Sequence, residues 1–356
     1  MNTVQFPILI FCRTVGPMPD TKLTRREFVV ASSIPIFAIL PGRARAARWT
    51  GRQFHNQPAD SHQHRFLVDL WNAVRMETNG DVEITVYPQN NNLPGSDPAA
   101  LDLLREGGLE FFTLMGGIMG RVVPAAEIQG VPFAFSSYGQ VHKLNDGKLG
   151  EHIGRECAAK GIHRFQYGLL ENGFRQINML DKPIRTADDL AGVRMRVPDA
   201  QIIRETFEAL GAVPVTVNIA DLYEALRTRR VDGQENPLVV TEVNRLYEVT
   251  RYLSITNHMW SGFNLIANMK FWRGLPAGVQ AIVNRNVRKY VAQQRTYTND
   301  LNNKLTETLS QRGMIVNAAD SASFRRKLGA RFYQRWRDQF GLAAWGLLED
   351  EVGKLI

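Results

Sequence analysis

Residues 81–87 (Asp-Val-Glu-Ile-Thr-Val-Tyr) alternate polar and apolar side chains, the period-two pattern of a strand with one buried face. Upstream, Phe66, Leu70, Ala73 and Val74 recur at helical spacing across residues 61–78, and residues 97–106 read as a second helix closed by Gly107 and Gly108. A short strand is predicted over 49–55 and a strongly apolar one over 109–115. Strand, helix, strand, helix, strand is the order of an α/β sheet covered by helices. Beyond Gly161 the pattern restarts, with strands over 163–170, 193–197 and 213–217 and helical segments over 187–190, 201–210 and 220–227. Residues 279–312 then hold a helical pattern with no proline or glycine. At about 1.5 Å per residue such a helix reaches roughly 50 Å, enough to cross two small domains.

Length agrees with this restart, because 356 residues exceed what one ordinary core organises. Hydrophobic residues at 44% and charged residues at 22% are globular values and exclude a disordered or fibrous chain. The formal charge of +8 points less to nucleic acid than it first suggests. Residues 1–46 carry six Lys/Arg and two Asp/Glu, so removing them lowers the balance by four, to +4. No long basic run follows, and no nucleic-acid partner is expected. A mild positive field still favours the approach of an anion.

Those first residues look like an export signal. Arg25 and Arg26 precede the apolar stretch Ala31 to Leu40, which ends at the small-x-small site Ala44-Arg-Ala46. The stretch is too short to span a bilayer, and the paired arginines resemble a twin-arginine signal. A general secretory signal is the alternative. Residues 1–17 fit neither pattern, and a start at Met18 would give an orthodox leader. Cleavage before Ala47 removes Cys12 and leaves Cys157 alone, so no intrachain disulfide is expected in the mature chain.

The richest stretch is Gly192 to Pro237. Alternation over 193–197 sets Val193, Met195 and Val197 on one strand face and Arg194 and Arg196 on the other. Burying a guanidinium without an anion is costly, and its planar fork matches a carboxylate. Arg196, at a strand end just before Pro198, sits where α/β sheets bind ligands. A solvated edge strand would show the same spacing.

The whole stretch resembles the core signature of TRAP-transporter solute-binding proteins, the dicarboxylate- and sialic-acid-binding family. The matching pieces are Gly192-Val-Arg-Met-Arg196-Val-Pro198, Leu210-Gly-Ala-Val-Pro214, Tyr223-Glu-Ala-Leu226, Val231-Asp-Gly-Gln-Glu-Asn-Pro237 and Thr256-Asn-His258. The likeness runs from about Phe54 to the end of the long helix. It implies a two-domain α/β periplasmic clamp with a cleft between the domains and the long helix crossing both. The expected division is 47–172 with 262–301 for domain I, and 173–261 with 302–356 for domain II. The family's principal ligand arginine falls on Arg196, a second arginine on Arg175 and the cleft asparagine on Asn236. Asn56, just past the first strand, is a further cleft candidate. Arg196 is expected to be solvated in the open cleft.

Two departures bear on the ligand. Sialic-acid binders carry an acidic residue after the strand that here ends in Met115, so a polyhydroxylated sugar acid is disfavoured. Ile219 stands where some members stack a phenylalanine, and Trp260 with Phe263 suits an apolar wall. A small monocarboxylate, 2-oxo or 2-hydroxy, is the expected ligand. The implied partners are this organic acid and the transporter's membrane subunits, and the protein is expected to be a periplasmic monomer. No cofactor and no catalysis are expected. GxSxG, P-loop, GxGxxG and HExxH motifs do not occur. His55, His62 and His64 match no familiar zinc spacing. Delivery to a sensor is a second reading, and a periplasmic enzyme a more distant one.

Overall fold

The structure is a computed structural model that describes residues 46–93 and 97–356. The leader, with Arg25, Arg26 and its cleavage site, lies outside the described residues. Among the described residues no helix is long and apolar enough to cross a membrane.

The first half follows the predicted order: β1 (Trp49–Phe54), α1 (His62–Glu77), β2 (Val82–Tyr87), α2 (Asp97–Glu106) and β3 (Phe111–Met115). Ser61 caps α1 by accepting from the His64 N–H, and Leu67, Leu70, Trp71 and Val74 pack its inner face. A short α3 (Gly116–Met119) leads on to α4 (Tyr138–Asp146) and α5 (Lys148–Ala159).

The chain then enters β4 (Ile162–Met179), far longer than the predicted 163–170. Its continuation, Glu171-Asn-Gly-Phe-Arg-Gln, does not alternate, because register shifts interrupt its pairing and bury polar side chains. Next come β5 (Arg194–Val197), α6 (Gln201–Ala209), β6 (Val213–Thr216), α7 (Leu222–Arg227), β7 (Gly233–Pro237) and α8 (Leu238–Val243). β8 (Tyr252–Asn268) is a second long strand, masked in the sequence by buried Ser254, Thr256, His258 and Asn264. The chain closes with α9 (Met269–Gly274), α10 (Ala277–Gln311), β9 (Ile315–Ala318), α11 (Ser321–Phe340) and α12 (Leu342–Val352).

The strands form one mixed sheet ordered β2-β1-β3-β8-β4-β7-β5-β6, with β9 added beside β8. β2, β1 and β3 run parallel, as do β7, β5 and β6. The 18-residue β4 and 17-residue β8 lie antiparallel between these sets and join them. At about 3.3 Å per residue each can reach nearly 60 Å.

α10, 35 residues long, is strapped to β4 where the sheet pairing is irregular. The Gln294 side chain accepts from the Glu171 N–H at 2.8 Å and donates to the Glu171 carbonyl at 2.7 Å. Asn302 Nδ2 donates to the Asn172 carbonyl at 3.2 Å. Gly173 holds φ of +132°, and a Cβ there would lie 2.7 Å from Asn302 Nδ2. Only glycine meets both demands.

Candidate functional site

Parallel strands from both sides of the sheet deliver their carboxyl ends to one place, where open α/β sheets take ligands. Met115 ends β3, Asn56 follows β1 by two residues, Arg196 is next to last in β5, and Asn236 is next to last in β7. Arg175 joins them from β4, opposite Pro237 in register. A small cavity of about 40 Å³ lies between, lined by Asn56, Met115, Arg175, Arg196, Ile219 and Asn236. Six of the seven sequence candidates therefore share one space.

Trp260 is the seventh and does not line that cavity. It lines a neighbouring hollow that also reaches Met115. Its indole N–H donates to Glu171 Oε1 at 2.7 Å, and its side chain is buried. Phe263 does line the main cavity and supplies the apolar wall.

The two arginines differ sharply. Arg175 has all its N–H groups engaged. Nε meets Glu235 Oε2 and Nη2 reaches Glu235 Oε1 at 2.7 Å, a bidentate ion pair. Nη2 also donates to the Glu235 carbonyl at 2.8 Å and Asn236 Oδ1 at 3.2 Å, while Nη1 donates to Ser261 Oγ at 3.0 Å. Burial pushes the Glu235 carboxyl up, but Arg175 and His258 outweigh it and hold the group below its usual range. His258 Nε2 lies 3.2 Å from Glu235 Oε2, and burial lowers that histidine's pKa against the opposing pull of the carboxylate.

Arg196 is used quite differently. Nε and Nη2 both donate to one acceptor, the Val217 carbonyl, at 2.9 and 2.6 Å. Among the described residues it has no carboxylate within ion-pair distance, and Nη1 makes no hydrogen bond to protein. Yet its side chain is only 2% exposed, which overturns the expectation of a solvated arginine. The reason is that Met115 and Ile118 on one side, and Pro198 and Ile219 on the other, enclose the same cavity. Burial lowers its pKa to about 10, with Glu235 and Asp97 pulling the other way, so it stays charged at neutral pH. Arg194, two residues earlier, is exposed and bound to Asp232 at 2.5 Å.

Asn236 donates to Gln234 Oε1 at 2.6 Å and accepts from Arg175, leaving one amide N–H for a ligand. Asn56 donates to Asp97 Oδ2 at 2.7 Å. Asp97 itself was not anticipated in the sequence, where it reads as an ordinary first-turn acid of α2. Its side chain is buried, it lines the cavity, and its second oxygen accepts from Asn90 Nδ2 at 2.7 Å. Burial raises its pKa, opposed by the two asparagines and by Arg196. Glu235 and Ser261 also escaped the sequence reading, although Glu235 lies inside the Gln-Glu-Asn-Pro run. From Asn56 and Ile219 a wider polar vestibule continues past Asp60, Asp221 and Asn244.

The three histidines near the start fall apart as a group. His55 Nδ1 accepts the Gln57 N–H at 3.2 Å, so its Nε2 carries the proton and donates to His64 Nδ1 at 2.9 Å. His62 packs on the Tyr297 ring instead.

A mixed sheet joined by two long strands, with a buried unpaired guanidinium at its carboxyl ends, is the build of a solute-binding protein. Residues 54–338 match the profile of bacterial extracellular solute-binding protein family 7, and the chain belongs to that family. The C4-dicarboxylate-binding periplasmic protein DctP of Rhodobacter capsulatus is 31% identical over 225 residues, 63% of this chain and 65% of that protein. A TRAP periplasmic solute-binding protein from Sulfitobacter sp. NAS-14.1, solved with bound β-D-galacturonate, superposes with a TM-score of 0.80 at 25% identity. A second, from Polaromonas sp. JS666 and bound to D-erythronate, does so with the same score and identity. Each match covers 86% of this chain and 100% of the solved one. The family and these relatives place the chain in the periplasm.

Proposed function

We propose that the protein captures a small organic carboxylate at Arg196 and hands it to the membrane subunits of a TRAP transporter, without catalysis. The observation that carries this reading is the buried Arg196 guanidinium, which has no carboxylate within ion-pair distance among the described residues. Burying a lone charge costs several kcal/mol, so a group kept this way is best explained by an anion from outside. Asn236 adds a donor beside it, while Met115, Ile219 and Phe263 shape the rest of the wall. Arg175, spent on Glu235, positions Asn236 and lends positive potential rather than a free N–H.

In this reading the chain works as a monomer. It divides into 47–172 with 262–301 and 173–261 with 302–356, which close on the ligand about the irregular part of β4 and β8. The kinds of anion seen in relatives, a dicarboxylate, a uronate and an aldonate, support the carboxylate class. The test is a thermal-shift screen of residues 47–356 against organic acids. An acid at a hundred times its Kd stabilises by about 2.7 kcal/mol, a rise of several degrees. A screen in which no carboxylate raises the melting temperature, while a neutral sugar or an amine does, would overturn the reading.

A further inference from the structure

Helix α6 begins just beyond Arg196 and Pro198, and it has no cap of its own. Its N-cap residue is Ala200, which offers no side-chain acceptor, so the first N–H groups need one from elsewhere. The acceptor comes from a distant part of the chain: Glu127 Oε2 takes the Ile202 N–H at 2.8 Å. Glu127 lies in the 3-10 stretch Pro124–Gly130 and is 2% exposed. Among the described residues it has no cation within ion-pair distance. Burial pushes its carboxyl up to about 7, while the Ile202 N–H pulls the other way. Two glycines make room for this reach. A Cβ at Gly120 would overlap the Glu127 carboxylate, and one at Gly117 would lie 3.0 Å from the Ala200 Cβ. Arg121 and Asp199 add an exposed ion pair at 3.5 Å along the same seam.

We infer that Glu127 is a latch between the lobes: it caps α6 only when they meet, and so sets ligand affinity without touching the ligand. This rests on the proposed closure of the part holding 47–172 onto the part holding 173–261, and it names a residue that sets the balance. Glu127, Gly117, Gly120 and Arg121 belong to the first part, and Asp199, Ala200 and α6 to the second. When the parts separate, water reaches both the Glu127 carboxylate and the Ile202 N–H. When they meet, each group loses that water and is satisfied only by the other. The bond therefore favours the closed form alone. Glu127 lines none of the hollows around Arg196. Its contribution is then the same for every acid that closes the cleft, whereas a wall residue would change the ranking of acids.

The experiment uses residues 47–356 as wild type, Glu127→Ala and Glu127→Gln. Succinate, D-erythronate and D-glucuronate are titrated by calorimetry. A second readout needs no acid: Gly117→Cys with Ala200→Cys is added to each protein, and the rate of disulfide formation reports how often the seam closes. The 3.0 Å between those Cβ positions is close to the roughly 3.8 Å of a disulfide, and Cys157 is buried away from the reaction. Glu127→Ala should weaken every acid by the same factor, about tenfold, and slow cross-linking to a similar degree. Glu127→Gln keeps an acceptor oxygen and should bring both back to within about threefold of wild type. The urea midpoint of the acid-free protein should barely move, because the open form leaves Glu127 in water. Glu127→Ala that binds and cross-links like wild type overturns the latch. So does Glu127→Ala that unfolds or loses stability without acid, since the bond then belongs to the fold in every state. A factor that differs among the acids, a Gln variant as impaired as Ala, or a wild-type pair that never cross-links has the same consequence. If wild type binds no acid, the carboxylate reading fails, and the cross-linking rates alone decide the latch.

Discussion

Arg175 and Arg196 look equivalent in the sequence, and the structure predicts that substituting them does different things. Arg196→Lys keeps the charge but gives up the planar fork, so a bound carboxylate loses one of two aligned donors. A hydrogen bond to a charged group is worth about 1.5–3 kcal/mol, which corresponds to roughly ten- to hundredfold weaker binding. Arg196→Ala should weaken it further. Its effect on the free protein is held down by two opposed terms. The Val217 carbonyl loses both of its guanidinium donors, while an unpaired buried charge is removed. The net change in stability should stay within about 2 kcal/mol. Arg175→Met is the reverse case, because it strands the buried Glu235 carboxylate, whose side chain is fully enclosed. Breaking a buried pair from one side costs about 3–5 kcal/mol. Without Arg175, burial pushes the Glu235 carboxyl up and His258 alone opposes it.

Urea unfolding and calorimetry on the same three variants decide the matter, with Arg194→Lys as the exposed control that should behave as wild type. Arg196→Lys should move binding and leave the urea midpoint nearly in place, whereas Arg175→Met should move the midpoint first. If Arg175→Met unfolds like wild type and only its affinity falls, Arg175 is a ligand arginine and the division of labour is wrong. Wild-type affinity in Arg196→Ala would refute the assigned site outright.

Other outcomes follow from the same geometry. Burial lowers the pKa of His55 to about 3, from an unfolded value near 6.5, so the folded state excludes its proton. Stability from that group is complete above pH 6.5 and is lost as pH falls toward 3, about 2 kcal/mol of it by pH 5. Urea midpoints at pH 7.5, 6 and 5 should fall in that order, and His55→Gln should flatten the slope. Gly173→Ala should cost about 1–3 kcal/mol, because φ of +132° and the nearby Asn302 amide both oppose a Cβ, and thermal unfolding measures it. Small-angle scattering should show a smaller radius of gyration with a saturating acid, and an unchanged radius counts against closure. Replacing Arg25 and Arg26 together by Lys should leave unprocessed precursor in the cytoplasm; normal processing would indicate the general secretory route.

The sequence carried the regular elements well where a period of two or 3.6 was uninterrupted. α2 begins and ends where the pattern said, and β2, β5 and α10 fall within a few residues of it. What escaped it was the pair of long strands that hold the sheet together. β4 and β8 are largely buried on both faces and carry polar side chains that bond to one another across the sheet, as Arg164 Nε does to Asn264 Oδ1 at 2.8 Å. No hydropathy pattern survives that arrangement. The same cause hid Glu235 and His258, whose roles depend on partners 60 and 23 residues distant in the chain. Periodicity reports which face a residue takes, and it is silent about which charge waits there.

That distinction also explains why the site candidates converged while their roles did not. Arg175, Arg196 and Asn236 were marked by their motifs, and strand ends bring all three to one cavity. Whether an arginine there is available depends on its competitor for the guanidinium. Glu235 is covalently fixed one residue before Asn236, so it claims Arg175 by bidentate geometry and frees Arg196 of any such claim. Residue 235 then acts twice: it neutralises one arginine and, by doing so, leaves the other as the strongest anion-seeking group in the cavity. Glu235→Gln tests the point in full. With no carboxylate, Arg175 keeps some neutral hydrogen bonds but regains an uncompensated charge, and the buried groups around the cavity gain one positive unit. Binding of a second carboxylate should become easier, so the ratio of succinate to D-erythronate affinity should rise at least tenfold. The urea midpoint should fall at the same time, because Arg175 is left buried without its pair. A Glu235→Gln protein as stable as wild type, with an unchanged ratio, would mean that Glu235 does not set the charge of the site.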